Sequence, residues 1–358
     1  MLWLERDASQ GQDAISVLCK DERGMIEKIS LKDLTAMLVT ELLSSAMGEE
    51  VQKEQLTAVM AVPELFNDMQ KEFLQDVLKR CGIAQGVEFV TEPVAIGKAY
   101  GYERKAHRRL ALTVNFGAMA LRVSLLKLED HELQVLDSLQ DFKTSGREMD
   151  KVRLTAYETA SKVLFAEYQA CHGVDLRDDK ELMFRVLVAC DDAKRVLCSE
   201  EQTTIEVDQV DKARRLKVHM TRQKMEELCE DIYDRVLALS SQLLGDNSVR
   251  QESIADVLVA GGCCEIKAVQ DKLRSMFRSQ LNLPAAMPMD HVVLEGVCAH
   301  MQQLEERRSR AEKGREEREE AAVSLSIGIE VQGGIMHKLI QRGTSLPCHR
   351  SEDFSSGY

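Results

Sequence analysis

The chain has 358 residues, of which 44% are hydrophobic and 30% charged, and its formal net charge is −13. Such a chain can build a sizeable core in more than one domain, and its negative charge argues against broad nucleic-acid binding. No apolar stretch approaches the roughly 20 residues that cross a bilayer, and residues 1–13 lack the apolar segment of a signal peptide. Since the ten cysteines have no repeating spacing, we expect a soluble cytoplasmic protein with reduced thiols and no membrane partner.

The first third of the chain is predicted to alternate strands and helices. Residues 14–29 form two short strands around a turn, and a helix follows with Ser30 and Asp33 in capping-box positions. One face of this helix carries the apolar side chains of Leu34, Met37, Leu38 and Leu42. The next elements are a buried strand at residues 56–62, a helix from about Asn67 to Gly82, a strand at residues 86–90 and a short helix opened by Glu92 and Pro93.

A new strand system is predicted to begin near Arg109 and to form an antiparallel meander, with a turn at Asp130 and His131. The elements after it are helices at residues 149–173 and 180–199, a strand pair at residues 203–210 and 216–220, and a long helix capped by Thr221.

The last third is predicted to contain a buried strand at residues 256–260 that runs into Gly261 and Gly262 and then a helix. A final helix from Asp290 continues into the charged run at residues 305–320, which we interpret as a solvated helical face or a linker. Two successive α/β lobes, each with a glycine-marked turn, favour a duplicated architecture with a cleft between the lobes.

Five segments resemble, in order, the 70-kDa heat-shock (DnaK) chaperone family. They are AVPELFNDMQKEFLQDVLKRCGI (residues 61–83), TEPVAIGKAYGYE (91–103), ACDDAKRVLCS (189–199), ADVLVAGGCCEIKAVQDKL (255–273) and SLSIGIEVQGGIMHKLIQRGTSLP (324–347). The resemblance implies an α/β, two-lobed, actin-like ATPase fold that holds ATP or ADP with magnesium. In the family this domain is coupled to a β-sandwich that grips unfolded peptides.

The resemblance also implies a domain organisation. The expected parts are a remnant of the first lobe at residues 14–105, the second lobe with its helical subdomain and return helix at 106–301, a charged helix or linker at 302–322, and the start of a truncated substrate-binding β-domain at 323–358. Residues 1–13 stay unassigned. We expect an incomplete first lobe and a member truncated at both ends, because the chain starts after the family's first phosphate loop and catalytic lysine.

The family's second phosphate loop, Asp-Leu-Gly-Gly-Gly-Thr-x-Asp, corresponds to residues 115–122. Glycines let backbone N–H groups approach phosphate oxygens, and carboxylates organise the metal. Here Asn115 cannot supply a negative charge, Met119 adds bulk, Ala120 lacks a hydroxyl and Arg122 reverses a charge. We interpret these residues either as a modified nucleotide site or as a hairpin retained for folding alone.

Other family positions are better preserved. The family's Glu-x-x-Lys-Arg-x-x-Ser segment becomes Asp191, Lys194, Arg195 and Cys198, and its Gly-Gly-Ser-Thr-Arg turn becomes Gly261, Gly262, Cys263, Cys264 and Glu265. Glu92 matches the family's cleft glutamate. By resemblance, the cofactor-binding residues are Glu92, Asn115, Gly117, Asp191, Lys194, Arg195, Cys198, Gly261 and Gly262. No catalytic residue and no metal ligand is predicted.

Structural interpretations compete with these roles. Lys194 and Arg195 could be solvated helix cations, and the strand-to-helix turn could require Gly261 and Gly262. We interpret Cys263 and Cys264 as ordinary buried thiols, with a redox or metal site as the alternative.

Three functional hypotheses remain. The first is a divergent chaperone with the inherited role of ATP-dependent protein folding, whose nucleotide hydrolysis is impaired or lost. This hypothesis leaves open whether the chain is an enzyme. The second is a non-catalytic interaction module that binds co-chaperones or a full-length chaperone. The third is a degraded fragment whose strand at residues 56–62 has an exposed edge. We expect no unfolded-peptide binding by the truncated β-domain.

Overall fold

The computed structural model describes residues 3–6, 15–20, 26–47, 56–83, 86–105, 109–149, 173, 180–211, 214–284, 287–320, 326–331, 335–341, 344 and 348–353. They belong to two compact units, Met1–Ala299 and His300–Tyr358. The predicted helix at residues 149–173 lies outside the described residues except at its two ends. Among the helices that are described, none has both the length and the apolar character of a membrane span.

The N-terminal elements are a three-stranded antiparallel sheet and a helix. They are β1 (Trp3–Arg6), β2 (Ile15–Lys20), β3 (Ile26–Ser30) and α1 (Leu31–Met47). The Asp33 N–H donates to the Ser30 hydroxyl at 3.1 Å, as the predicted cap requires. The apolar face predicted for α1 lies at the surface, where Met37, Leu38 and Leu42 are 59%, 60% and 69% exposed.

A parallel strand pair with two helices follows. Its elements are β4 (Ala58–Val62), α2 (Asp68–Arg80), β5 (Val87–Thr91) and α3 (Glu92–Ala99). A capping box starts α2, because the Asn67 side chain accepts from the Gln70 N–H at 2.9 Å and the Gln70 side chain accepts from the Asn67 N–H at 3.0 Å. Within the described residues this sheet has two strands, so one edge of β4 is unpaired there.

The predicted meander is present, as are the helix predicted at residues 180–199, the strand pair and the long helix after it. The elements are β6 (Arg109–Phe116), β7 (Leu121–Glu129), β8 (Glu132–Asp141), α4 (Lys180–Ser199), β9 (Gln202–Asp211), β10 (Arg214–Thr221) and α5 (Arg222–Asp246). Asp130 and His131 turn between β7 and β8 with φ of 50° and 63°, the left-handed pair that a two-residue hairpin loop requires.

The central sheet is completed by β11 (Ile254–Ala260) and β12 (Leu281–Asn282), with α6 (Lys267–Phe277) between them and α7 (Val292–Glu320) after them. Its strand order is β12-β11-β6-β7-β8, with β11 parallel to both β6 and β12. Both faces of the sheet carry core, since Leu112 packs with residues of α5 and α6 while Ala111 packs with Ile96 of α3 and Val292 of α7.

The second compact unit contains the remainder of α7 and a two-stranded antiparallel sheet. The strands are β13 (Ile327–Val331) and β14 (Ile335–Ile340). This hairpin lies within the segment at residues 324–347 that resembles the family. The predicted division of the chain into a first lobe, a second lobe, a linker and a β-domain stays a prediction.

Candidate functional site

A cleft of about 740 Å³ lies in the first unit, beside the ends of the two central parallel strands. β6 and β11 run in parallel with Asn115 beside Ala260, so their carboxyl ends meet at this edge of the sheet. Such an edge is where open α/β sheets bind ligands, and the volume suits a small molecule. The cleft is lined by every residue predicted to bind a cofactor: Glu92, Asn115, Gly117, Asp191, Lys194, Arg195, Cys198, Gly261 and Gly262.

Glu92, Asn115 and Arg122 form one polar cluster on the wall of the cleft. Asn115 and Arg122 stand opposite each other on β6 and β7, so their side chains share one face of the sheet. The Asn115 amide donates to Glu92 Oε2 at 2.9 Å, and the Arg122 guanidinium lies 3.4 Å from the same oxygen. The Glu92 and Arg122 side chains are only 18% and 23% exposed. The lone carboxylate of this cluster is therefore already neutralised by an arginine.

The tip of the β6–β7 hairpin is closed on itself. The Gly117 N–H donates to the Ala120 carbonyl at 3.2 Å, leaving Ala118 and Met119 as a two-residue loop. The Gly117 carbonyl in turn accepts from the Gly146 N–H at 3.0 Å. Gly117 therefore lines the cleft, but its N–H group closes the loop and is not directed at a ligand.

Gly146 is a residue that the sequence patterns did not identify. A Cβ atom at this position would stand 3.0 Å from Cys263 Sγ and 3.2 Å from the Ala118 Cα. A larger residue would push these neighbours apart by a few tenths of an ångström, which glycine avoids. Because the partners are distant in sequence, no local pattern could have revealed this requirement.

The two glycines after β11 have different structural roles. Gly261 has a φ of 87°, its N–H donates to the Met289 carbonyl at 2.7 Å, and a Cβ there would lie 2.4 Å from the Phe116 carbonyl oxygen. A Cβ at Gly262 would meet nothing closer than Asp290 Cβ at 3.9 Å. The turn requires the first glycine, as the structural interpretation predicted, but packing does not require the second.

Cys264 behaves as a buried core thiol. It is fully buried, with Sγ 3.8 Å from the Val114 carbonyl. Burial, and then the neighbouring Cys263, raise the pKa of the Cys264 thiol to about 12, so it stays protonated near neutral pH. Within the described residues no group of three or more His, Cys, Asp or Glu side chains is placed to hold a metal. Its burial and its raised pKa support the interpretation of Cys264 as an ordinary buried thiol.

In the lining of the cleft, α4 presents an ion-paired group. Lys194 Nζ lies 2.5 Å and Arg195 Nε 3.4 Å from the Asp191 carboxylate. Partial burial raises the pKa of Asp191, but the hydrogen bond and charge of Lys194, followed by Arg195, outweigh it and hold this pKa below its usual range. Lys194 is largely buried, whereas Arg195 is 74% exposed. Cys198 donates to the Lys194 carbonyl at 3.4 Å.

The carboxylate beside the hairpin does not fit a magnesium ion. Magnesium takes carboxylate and other oxygen ligands in octahedral geometry. Glu92 is paired with Arg122, Asp191 with Lys194, and Glu265 accepts from the Met289 N–H at 3.1 Å. Glu265 thus holds the segment before α7 in place. The fourth lining carboxylate, Asp290, is exposed. The sequence patterns did not identify four other lining residues: Pro288, Asp290 and His291 before α7, and Val293 within it.

Comparisons with known proteins identify the family of the chain. The family model described as Hsp70 protein matches residues 6–357. The chain is 30% identical over 337 residues to heat shock 70 kDa protein 6, chloroplastic, of Arabidopsis thaliana, which covers 92% of the chain and 44% of that protein. It is 29% identical over 352 residues to heat shock 70 kDa protein 7, chloroplastic, of the same plant, covering 94% and 46%. It is also 29% identical over 334 residues to chaperone protein dnaK of Thalassiosira pseudonana, covering 91% and 52%.

Two consequences follow from these matches. The chain spans about half the length of the curated relatives it matches. The predicted cytoplasmic location is wrong, because two of these relatives are chloroplastic proteins. Charge balance and cysteine spacing do not distinguish one cellular compartment from another.

Proposed function

The chain belongs to the Hsp70 family of chaperones and has its α/β, actin-like ATPase fold, and on this basis we propose that its cleft binds ATP or ADP with hydrolysis impaired or lost. The observation that carries the proposal is the convergence of all the predicted cofactor residues on one cleft of about 740 Å³. The inherited role is ATP-linked protein folding, in which the bound nucleotide acts as a conformational ligand.

Loss of hydrolysis is supported by the state of the carboxylates. Phosphoryl transfer needs a metal ion to neutralise developing charge and a group that orients the attacking water. In the cleft, Glu92 is engaged by Asn115 and Arg122, and Glu265 by the Met289 backbone. The carboxylate nearest to the hairpin tip is therefore committed to protein contacts.

The experiment is thermal unfolding of the whole chain with millimolar ATP or ADP, each with magnesium and with EDTA. A ligand at about one hundred times its Kd stabilises the folded state by about 2.7 kcal/mol, so the melting temperature should rise in at least one condition. Lys194→Ala should reduce the rise, whereas Lys272→Ala, which removes a cation from α6 outside the cleft, should not. No rise with either nucleotide would contradict nucleotide binding, and steady phosphate release would contradict the loss of hydrolysis.

A second candidate function is the non-catalytic interaction module, whose partner would be a co-chaperone or a full-length chaperone. The exposed Met37, Leu38 and Leu42 of α1 favour it, because contiguous apolar groups at a surface are typical of interaction sites. Replacing all three by serine should abolish co-purification with the partner and leave nucleotide-dependent melting unchanged. Co-purification that survives this change would exclude α1 as the surface.

The domain organisation remains part of this proposal. We assign residues 14–105 to a first-lobe remnant, 106–301 to the second lobe, 302–322 to a charged helix or linker, and 323–358 to the start of a β-domain. In the described part of residues 300–358, sheet structure is limited to the β13–β14 hairpin, and we propose no unfolded-peptide site there.

A further inference from the structure

We propose that the Arg122 guanidinium takes the place of a divalent cation, so that the cleft binds the phosphates of its nucleotide without a metal ion. This inference rests on the proposed nucleotide site and deepens it. It concerns the disagreement between the magnesium expected from the family and the side chains that line the cleft.

The position of Arg122 carries the first step. It lies on β7 directly opposite Asn115, at the base of the hairpin tip, and lines the cleft. Its side chain is three-quarters buried. A charge held in such a site is screened by water far less than a surface charge. An anion in the cleft therefore meets a guanidinium held beside the hairpin, with Glu92 as its counter-charge.

The hydrogen bonding of Arg122 carries the second step. Its contact with Glu92 is a single interaction of 3.4 Å, and its buried Nε finds no hydrogen-bond partner among the described residues. A guanidinium has five N–H donors arranged to grip an oxyanion with two parallel hydrogen bonds. The Glu92 contact uses one of these donors, so the guanidinium keeps donors for an oxyanion in the cleft.

The charge balance carries the third step. The cluster contains one acid, Glu92, one base, Arg122, and the neutral Asn115, so its net charge is zero. A divalent cation bound at Glu92 would stand beside the guanidinium and be repelled by it. The guanidinium thus already holds the position of a cation beside Glu92, and a phosphate can accept hydrogen bonds from donors that the single Glu92 contact leaves open.

The test measures ADP and ATP affinity of the whole chain by isothermal titration calorimetry, in EDTA and in excess magnesium. Equal affinities within about threefold are expected. If magnesium tightens binding tenfold or more, the inference is wrong while nucleotide binding stands. If neither nucleotide binds in either buffer, the proposed function fails and the inference fails with it.

Variants separate Arg122 from a general loss of positive charge. Arg122→Gln should weaken binding in EDTA by about tenfold or more, since charge-assisted hydrogen bonds are removed, and Arg122→Lys should recover part of the loss. Arg147→Gln is the control, because Arg147 is exposed, follows Gly146 near the hairpin tip and does not line the cleft. Equal losses in Arg122→Gln and Arg147→Gln would overturn the inference.

A charge exchange gives a result that a structural role would not produce. The double variant Asn115→Asp with Arg122→Asp places two additional carboxylates near Glu92 in place of the arginine. Its nucleotide binding should become magnesium-dependent, weak in EDTA and restored by the metal. Binding that stays indifferent to magnesium in this variant would contradict the assigned role of Arg122. Circular dichroism melting of each variant confirms that the fold is retained.

Discussion

Gly261 crosses the end of strand β6 so closely that a Cβ atom there would stand 2.4 Å from the Phe116 carbonyl oxygen. The contact joins the turn after β11 to the base of the hairpin that lines the cleft. Since Gly261 also has a φ of 87°, both its conformation and its neighbour require the absence of a side chain.

Gly261→Ala should therefore reduce the free energy of unfolding by about 2–4 kcal/mol, combining the cost of a left-handed alanine with a backbone shift. Gly262→Ala is the matched control and should change it by less than about 1 kcal/mol, because its Cβ would meet only ordinary contacts. Chemical denaturation of both variants makes the comparison. Equal losses would show that the turn does not depend on the approach to Phe116.

Gly296 makes a second close approach. A Cβ at this position on α7 would stand 1.8 Å from the Ala95 carbonyl oxygen of α3. Gly296→Ala should separate the two helices and destabilise the chain by about 2–4 kcal/mol. Cys298→Ala, at an exposed position on the same helix, should have little effect. If Gly296→Ala unfolds at the same denaturant concentration as the parent, the close packing of α3 on α7 is wrong.

Removing one partner of the Glu92–Arg122 pair is expected to destabilise the fold, because the remaining charge stays mostly buried. Glu92→Gln leaves a mostly buried guanidinium without its counter-charge and should lower the free energy of unfolding by about 1–3 kcal/mol. The pair between Lys217 and Glu206 is much more exposed, so Glu206→Gln should lower it by less than about 1 kcal/mol. Urea denaturation of the two variants checks the difference, and a Glu92→Gln protein as stable as the parent would contradict it.

Cys264 should resist alkylation in the folded protein. Its thiol is fully buried and its pKa is raised to about 12, so the reactive thiolate is scarce at pH 8. Cys298 is exposed and should react with iodoacetamide at that pH. Peptide mass spectrometry reads both sites in one experiment. Modification of Cys264 at the rate of Cys298 would show that the turn after β11 opens in the native state.

The same pKa predicts the direction of a pH effect on stability. The folded protein holds the Cys264 proton more tightly than the unfolded chain does. The contribution of this thiol to the free energy of unfolding is therefore fully present below the ordinary thiol pKa. It declines as the pH rises from there towards about 12. Burial, the largest cause of the shift, is removed when the chain unfolds.

Local sequence determined most of the secondary structure, because caps and periodicity act over a few residues. Asn67 and Gln70 form their capping box, α4 spans Lys180–Ser199 as its apolar periodicity predicts, and Asp130 and His131 make the β7–β8 turn. The limits of this reasoning are visible in α1, where an apolar face was predicted but Met37, Leu38 and Leu42 lie at the surface. Periodicity identifies a face and does not say what packs against it.

Residue types also determined which side chains belong to the candidate site, since each was identified by its match to a family motif. Tertiary structure alone decided what those side chains do there. Arg122, which by sequence only reverses a charge, lies 3.4 Å from Glu92, because the period of two in β6 and β7 sets it opposite Asn115 and α3 brings Glu92 to that face of the sheet. The close contacts at Gly146 and Gly296 likewise come from parts of the chain that are distant in sequence. No local pattern encodes them.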